Sequence, residues 1–362
     1  MMITCLRSTL YSALNTIERF VGKNISLPVI NNIFIKTHGQ KLILQATNLE
    51  VGAEATLPAK VIKEGSITIP PRILSAILQT ITDEKVVLKE KQGIISIETE
   101  STTSEIRGIT GDDFPIIPSV EKGTTLSIPN SILHKVLSKI LPIISFSDFK
   151  PEISGLFIYT EVKELVFVGT DTFRLFEERV KDFITSDQFK IIIPLRALQE
   201  LVKILNLEEN TEFIFNTEQV LIKTGDVRII TRLINGTYPE YRNLIPKEFS
   251  TKLNIPRLEF LSGIKLSSVF ASKLHDVVLS YKKDTLFLEI TNPEIGKHTR
   301  TIKITSSGKD GRIGFNHRYL SDAVESIGSE IISLGLNDES RPAVLCDDQH
   351  PKFTAVVMPL RI

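Results

Sequence analysis

The chain has 362 residues, of which 43 are basic and 43 acidic, so its formal net charge at pH 7 is zero. Overall charge therefore predicts neither a nucleic-acid partner nor an acidic tail. Its two cysteines, Cys5 and Cys346, give no disulfide framework and suit a reducing compartment. The N-terminus does not read as a signal peptide, and the longest apolar run, 140–146, is far shorter than the roughly 20 residues that span a bilayer. We therefore expect a cytoplasmic protein without membrane contact.

One pattern is written three times along the chain. Two alternating apolar runs flank a polar break, and a threonine follows the second run. Such a pattern predicts two strands joined by a turn. The copies read NIFIKTHGQKLILQATNLE from Asn32, SGLFIYTEVKELVFVGTDTFRL from Ser154 and DVVLSYKKDTLFLEITNPE from Asp276. Their threonines, Thr47, Thr170 and Thr291, are 123 and 121 residues apart, so the repeat is a whole domain.

A shorter period, of a strand followed by an amphipathic helix, recurs six times. After the junction, apolar residues return at helical spacing, and proline suits the junction because its fixed φ fits the helix start. The first copy starts at Ile3. The other five junctions are Pro70, Pro129, Pro194, Pro256 and Asn316.

We assign an α+β fold in which each of three domains packs two helices on one side of antiparallel sheets. Pro-rich connectors recur at GDDFPIIPSVEKG from Gly111 and NGTYPEYRNLIPKE from Asn235. They place the domains at residues 1–122, 123–246 and 247–362.

Arginine stands in the first turn of four predicted helices, at Arg72, Arg196, Arg257 and Arg318. A cation there opposes the helix dipole and costs roughly 0.3 to 1 kcal/mol, so a single case would be an ordinary solvated side chain. Four matching positions favour a common cationic surface, and such a surface is typical of phosphate binding.

The ordered set of segments resembles one family, the bacterial sliding clamp, which is the β subunit of DNA polymerase III. The resemblance covers the whole chain. The segments that carry it are LPVINNIFI from Leu27, LQATNLE ending at Glu50, GTDTFRL from Gly169, NGTYPEYRNLIP from Asn235, IGFNHRYL from Ile313 and the terminal VMPLRI.

The resemblance implies a head-to-tail homodimer with six domains in a ring, lined by twelve helices and threaded by duplex DNA. Helices spaced by roughly 10 Å would leave about 28 Å of clear space, enough for a duplex roughly 20 Å wide. Such a ring acts as a processivity factor for the replicative polymerase. DNA contacts are implied at Lys23, Asn24, Arg72, Lys150 and Arg196, although Asn24 stands where the family usually has a base.

The resemblance also implies a partner-peptide groove between the second and third domains, used by the polymerase catalytic subunit, the clamp loader and other clamp-binding proteins. Thr172 and Phe173 stand where the family usually has Gly and His, which predicts a more apolar groove. The bland alternative is that GTDTFRL is only a turn, with Asp171 accepting backbone hydrogen bonds. The implied groove residues are Ile153, Thr170, Thr172, Phe173, Arg174, Leu175, Pro239, Leu244, Asn316, Tyr319, Met358, Pro359, Leu360 and Arg361.

For the dimer contact, the resemblance places an edge strand that includes Ser104 and Ile106 against Val269 and Phe270 of the partner subunit. Two other function classes were weighed. The six histidines show no metal-ligand spacing, and there is no Walker loop or nucleophile elbow, so we expect neither an enzyme nor a cofactor or metal. A repeat-built scaffold that never encircles DNA would keep the repeats but would not need the arginines.

Overall fold

The computed structural model describes residues 1–120, 122–183, 188–272, 274–347 and 352–361. Within these residues six α-helices form; five start directly after the predicted junctions, and the first starts at Arg7 within the copy that begins at Ile3. The prediction of six strand-to-helix units is therefore confirmed. The helices are α1 (Arg7–Ile17), α2 (Pro71–Thr80), α3 (Asn130–Ile140), α4 (Leu195–Leu201), α5 (Arg257–Ser267) and α6 (His317–Ser326).

The strands fill the chain between these helices, and the pairs described are antiparallel. The hairpins predicted from the threefold pattern are present as β2–β3, β11–β12 and β19–β20. In chain order the strands are β1 (Met2–Leu6), β2 (Ile33–His38), β3 (Lys41–Thr47), β4 (Val51–Pro58), β5 (Lys60–Lys63), β6 (Ser66–Ile69), β7 (Lys85–Lys91), β8 (Ile94–Glu98), β9 (Thr103–Arg107), β10 (Thr124–Pro129), β11 (Gly155–Glu161), β12 (Glu164–Thr170), β13 (Arg174–Lys181), β14 (Lys190–Pro194), β15 (Asn210–Phe215), β16 (Gln219–Thr224), β17 (Val227–Arg232), β18 (Thr251–Pro256), β19 (Asp276–Lys282), β20 (Thr285–Asn292), β21 (Gly296–Lys303), β22 (Thr305–Gly308), β23 (Gly311–Asn316), β24 (Ile331–Leu336), β25 (Ala343–Asp347) and β26 (Phe353–Val357).

The chain forms two compact units, one of residues 1–134 with 196–233 and one of residues 135–195 with 234–362. In the first unit, one sheet has the order β5-β1-β7-β8-β9, and a second sheet has the order β10-β15-β16-β17-β4-β3-β2-β6. Helix α1 packs on β3 and β4 and beside α2. Its residues Leu10, Leu14 and Ile17 are fully buried, as their helical spacing requires.

The second unit has the same construction. One sheet has the order β14-β11-β12-β13-β26-β25-β24-β18-β22, and another has the order β21-β20-β19-β23. Helices α5 and α6 pack side by side, and Phe260 and Leu320 are among the core residues they bury. Helix α6 is capped by Asn316, whose side-chain oxygen accepts a hydrogen bond from the backbone N–H of Arg318 at 3.0 Å.

The long sheets are each made by strands from successive repeats that pair at an edge. In the first unit β4 pairs with β17, with Val51 opposite Thr231. In the second unit β13 pairs with β26, with Arg174 opposite Val357. When the repeats are aligned by their hairpins, Val51 corresponds to Arg174 and Thr231 to Val357. The two junctions therefore pair corresponding residues, which is the same register. The strands that correspond to β4 and β17 elsewhere in the repeat, β21 and β9, lie at sheet edges in the described structure.

Two further findings concern membranes and metals. Among the residues described, no helix combines the length and apolar character needed to cross a bilayer. The same residues contain no cluster of three or more His, Cys, Asp or Glu side chains placed to hold a metal ion.

Candidate functional site

The segment GTDTFRL forms a tight turn between β12 and β13 in the second unit. Asp171 accepts hydrogen bonds from the backbone N–H groups of Phe173 (3.0 Å) and Arg174 (2.9 Å) through one side-chain oxygen. The Thr170 hydroxyl accepts from Thr172 N–H at 3.1 Å and donates to the Arg174 carbonyl. Thr172 has a φ of 77°, a strained conformation for a β-branched residue, which this network holds in place. The turn predicted by the bland alternative is thus real.

The C-terminal tail lies against this turn. The N–H of Met358 donates to the carbonyl of Phe173 at 2.9 Å, one step beyond the end of the β13–β26 ladder. Two residues later, the N–H of Leu360 donates to the carbonyl of Gly314 at 2.8 Å. The tail is therefore ordered by backbone bonds to two separate elements, and Met358 remains 37% exposed.

Arg174 is held by its own chain. Its Nε donates to Asp171 at 2.9 Å, its Nη1 donates to Asp322, and its guanidinium lies 4.5 Å from the ring centre of Tyr319. The Phe173 ring stacks beside the same tyrosine at 6.4 Å. The Arg174 side chain is 9% exposed and compensated by two carboxylates, so its main effect is to fix the aromatic pair.

An apolar cluster forms the floor next to the turn. Ile153 and Leu175 are buried in it together with Tyr238, Tyr241 and Val356. Two large apolar side chains beside the cluster stay in solvent. These are Phe173 at 58% exposure and Leu244 at 64%.

Beneath the cluster, a closed ring of polar side chains joins β11, β13 and the short 3₁₀ helix Tyr241–Leu244. The Nη2 of Arg242 donates to the hydroxyl of Tyr159 at 2.5 Å, the two tyrosine hydroxyls of Tyr159 and Tyr241 are 2.7 Å apart, and Tyr241 donates to Glu177. Arg179 then bonds both Glu177 (2.6 Å) and Glu161 (2.9 Å), and Arg242 returns to Glu161 at 2.5 Å.

The contacts within this ring shift the pKa values of its members. The hydrogen bond from Arg242 lowers the pKa of Glu161 to about 2, because it stabilises the carboxylate. Burial, followed by the hydrogen bond to Glu177, raises the pKa of Tyr241 well above its usual value. Both tyrosines thus remain neutral donors, and the ring fastens the proline-rich connector to the sheet.

The structure gathers the expected groove residues into one region of the second unit, in three groups. The first is the 170–174 turn with Tyr319 and the Met358–Leu360 tail, the second is the buried pair Ile153 and Leu175, and the third is the connector with Pro239 and Leu244. Asn316 serves as a helix cap, and Pro359 and Arg361 belong to the tail. The sequence interpretation missed Asp322 and the polar ring, whose members are far apart in the sequence.

The expected DNA contacts lie on helix starts and loops. In the first unit Lys23, Arg72 and Arg196 are exposed, and Arg196 makes a loose ion pair with Glu50 at 3.4 Å. Asn24 shapes its loop, since its side-chain oxygen accepts from the N–H groups of Ser26 and Leu27. In the second unit Lys150 is exposed directly before the 3₁₀ helix Pro151–Ile153.

The expected dimer residues fall on two edges. Ser104 and Ile106 lie on β9, an edge strand as predicted. Val269 and Phe270 belong to a 3₁₀ helix, Ser268–Phe270, and so cannot themselves extend a ladder. The Phe270 ring stacks on His298 of β21 at 5.4 Å. Because β21 lies at a sheet edge, it is the strand beside Phe270 that could pair with another chain.

The polar ring gives a testable prediction about stability. Tyr241→Phe removes the hydroxyl that joins Tyr159 to Glu177 and leaves buried groups unsatisfied, so we expect the free energy of unfolding to fall by about 1–3 kcal/mol. Tyr238→Phe is the matched control, because the buried Tyr238 hydroxyl has no hydrogen-bond partner within the described residues and its loss should cost nothing. Urea unfolding of both variants measures the difference. Equal effects would contradict the role of the ring.

Sequence comparison places this chain in a known family. Models of the DNA polymerase III beta subunit match the chain from end to end: the N-terminal domain at residues 1–118, the central domain at 127–240 and the C-terminal domain at 242–361. The chain is 28% identical to the beta sliding clamp of Synechocystis sp. and 27% identical to that of Staphylococcus aureus strain Mu50, over 100% of this chain in both cases and over 100% and 99% of those proteins.

Solved structures agree with this assignment. The DNA polymerase sliding clamp of Bacillus subtilis superposes with a TM-score of 0.95 at 23% identity, covering 100% of this chain and 99% of that one. The clamp of Bartonella birtlesii, solved with griselimycin bound, gives a TM-score of 0.93 at 25% identity with both chains covered completely. The three clamp domains observed here, with few helices on antiparallel sheets, match these folds. The chain belongs to the DNA polymerase III beta subunit family, the sliding clamps.

Proposed function

We propose that this chain is a non-catalytic sliding clamp. Two copies close a ring around duplex DNA, and the ring tethers the replicative polymerase and other DNA-acting proteins in the cytoplasm. The domain boundaries proposed for this assembly are residues 1–122, 123–246 and 247–362. The observation that carries the proposal is the pair of edge strands β9 and β21, which correspond to the strands that pair at both junctions inside the chain.

The internal junctions supply the register for a junction between two chains. If β9 of one chain pairs with β21 of its partner as β17 pairs with β4, Ile106 lies opposite Gly296 and Glu105 opposite Lys297. That arrangement sets unlike charges across the strands, which stabilises an antiparallel pair. Ser104 would then face His298, whose buried Nε2 has no hydrogen-bond partner in the part of the chain that the structure describes. A serine hydroxyl would meet that need.

The dimer residues inferred from sequence fit the same arrangement. Val269, which is 65% exposed, and Phe270 lie beside β21 through the stacking of Phe270 on His298. They would pack against the side chains of β9 rather than form hydrogen bonds with its backbone. An unpaired edge strand is a ready site for strand addition, and closing a ring removes it.

The proposed DNA contact is weak by design. Lys23, Arg72, Lys150 and Arg196 supply scattered cations, and Asn24 a neutral polar group, on a chain with zero net charge. Phosphate contacts give salt-dependent affinity without sequence preference. Enclosure then keeps the protein on DNA, while loose contacts allow it to slide.

The groove of the second unit is the proposed docking site for partner peptides. Phe173, Leu244 and Met358 expose apolar surface beside an ordered backbone, and Leu360 lies next to them in the tail. A short segment containing Gln-Leu and Phe would place its apolar side chains on this surface. The DNA polymerase catalytic subunit and the clamp loader are the expected carriers.

The dimer proposal predicts the outcome of a charge exchange. Glu105→Lys sets two lysines against each other at both junctions of the ring, and we expect the dimer to dissociate about tenfold more readily. Lys297→Glu should act alike, and the double variant should recover dimerisation. Sedimentation velocity measures this, with Lys303→Glu as a control outside the proposed pairing. Failure of the double variant to recover would refute the register.

A second prediction concerns DNA. Replacing Arg72 and Arg196 together by Ala should reduce the slope of log affinity against log salt by about two, because about one phosphate contact is lost with each side chain. The exposed strand residues Lys41 and Lys60, also changed to Ala, provide the control. Fluorescence anisotropy with a labelled duplex gives the slope. An unchanged slope would remove both arginines from the DNA path.

Enclosure itself has a separate readout. Protein loaded on nicked circular plasmid by its clamp loader should co-elute with the plasmid, and cutting the plasmid once should release it. A scaffold that does not encircle DNA would show no such dependence on the free end.

A third prediction tests the groove. Leu244→Ala and Met358→Ala should each weaken binding of a Gln-Leu…Phe peptide by about thirtyfold, since anchoring contacts of this kind contribute roughly 2 kcal/mol. Leu207→Ala changes a comparably exposed leucine in the first unit, 54% against 64% for Leu244, and should have no effect. Titration calorimetry checks all three, and the dimer should persist in each. If the Leu207 variant loses as much affinity as the other two, the groove is misplaced.

A further inference from the structure

A cleft of about 350 Å³ opens in the first unit, beside the junction of β4 and β17. Its walls come from the turn that precedes β4, from the end of β17 and from the proline-rich connector that follows β9. Ile116 in that connector is 93% exposed, far more than a large aliphatic side chain needs to be. No part of the function proposed above uses this cleft.

The cleft lies beside the β4–β17 junction of the first unit, just as the proposed peptide groove, here called the partner groove, lies beside the β13–β26 junction of the second. Thr47 and Asn48 hold their turn as Thr170 and Asp171 hold theirs. Asn48 accepts from the N–H groups of the residues two and three positions on, at 2.9 and 2.8 Å, and the Thr47 hydroxyl accepts from Leu49 N–H at 3.0 Å. Leu49 has a φ of 76°, nearly the value at Thr172. Both turns therefore present the same backbone beside the same strand junction.

One substitution between the repeats gives the two sites different floors. Gly52 stands where Leu175 fills the floor of the partner groove. A Cβ at Gly52 would lie 3.0 Å from Ile117 and 3.2 Å from Ile230, so even a methyl group would crowd this space. Glycine there lets Ile117 and Ile230 pack close to the strand, and both line the cleft as its apolar floor.

The charge around the cleft is uneven. Glu50 forms its ion pair with Arg196. Arg232, which lines the cleft where Met358 lines the partner groove, has no ion-pair partner among the described residues. The site thus presents one uncompensated guanidinium beside an aliphatic floor, and a carboxylate is the group that matches it best.

We propose that this cleft binds an extended peptide segment of a partner protein, one that carries an aliphatic side chain with a carboxylate next to it. The aliphatic group would contact Ile117 and Ile230, and the carboxylate would pair with Arg232. The apolar floor favours a peptide over a nucleic-acid backbone. The proposal extends the proposed function, since it gives each chain a second docking site that differs from the first in preferring acidic segments.

Methyl-detected NMR of the full-length protein, labelled at isoleucine and methionine, provides the test. The probe is acetyl-Ser-Leu-Asp-Leu-Ser-amide, and the same peptide with Asn for Asp is its control. We expect the Asp peptide to shift the methyl signals of Ile117 and Ile230. Signals of Ile153 and Met358 should stay in place, and the Asn peptide should bind about tenfold more weakly.

Two variants separate recognition from general charge. Arg232→Met removes the guanidinium, keeps the apolar wall, and should weaken the Asp peptide about tenfold. Arg228→Met makes the same change on the same strand outside the cleft and should leave affinity unchanged. Gly52→Leu should fill the cleft and abolish the shifts, provided that its spectrum shows a folded protein.

Several outcomes would overturn the proposal. These are no shifts at millimolar peptide, shifts only at Ile153 and Met358, equal losses in the Arg232 and Arg228 variants, or a duplex DNA fragment that shifts Ile117 and Ile230 where the peptide does not. A Gln-Leu…Phe peptide added to the same sample reports on the partner groove through Ile153 and Met358. Failure of the cleft and failure of the proposed function therefore give different spectra.

Discussion

Pairing of backbone groups at the edges of sheets governs this structure. Each edge strand of a repeat exposes a row of N–H and C=O groups that need partners. An edge strand that stays unpaired costs free energy or pairs with another chain. Here β4 and β13 each meet a strand of a different repeat in an identical register. The helices can then stay on one face of the sheets, because the sheets provide the continuity from one repeat to the next.

The groove and the cleft follow from the same constraint. At each junction two strands come together from distant parts of the chain, and the turn before one of them must bend sharply away. The bend is held by Asp171 in one case and by Asn48 in the other, and it leaves a concave surface beside the ladder. The connector forms the second wall. In the second unit the polar ring fixes this wall, so a peptide bound in the proposed groove would not have to order it.

Much of the fold could be predicted from local sequence. Proline or asparagine before an amphipathic run located the helices, and alternating runs around a polar break located the hairpins. Thr291 marks a similar turn, since the side-chain oxygen of the next residue, Asn292, accepts from the N–H of Glu294 at 2.9 Å, as Asp171 accepts from Phe173. Most of the groove residues came from the resemblance to clamps, and the structure brings them into one region.

What could not be predicted depends on pairs that are distant in sequence. The match of Arg174 with Asp322 spans 148 residues, and that of Tyr159 with Tyr241 spans 82. Neither has a local pattern. The difference between Gly52 and Leu175 was readable in the sequence, but its consequence required the positions of Ile117 and Ile230. The residue at this repeated position therefore decides which side chains form the floor beside each junction.

The identical register of the junctions has a mechanical consequence for the proposed ring. Four of its six seams are bridged by a covalent connector, which keeps the two edges at a high effective concentration even when the ladder between them breaks. The two seams between chains lack such a bridge. If all six seams had equivalent backbone pairing, the ring would open at the seams between β9 and β21, because no connector would hold their edges together. DNA would then enter and leave the ring through these two seams.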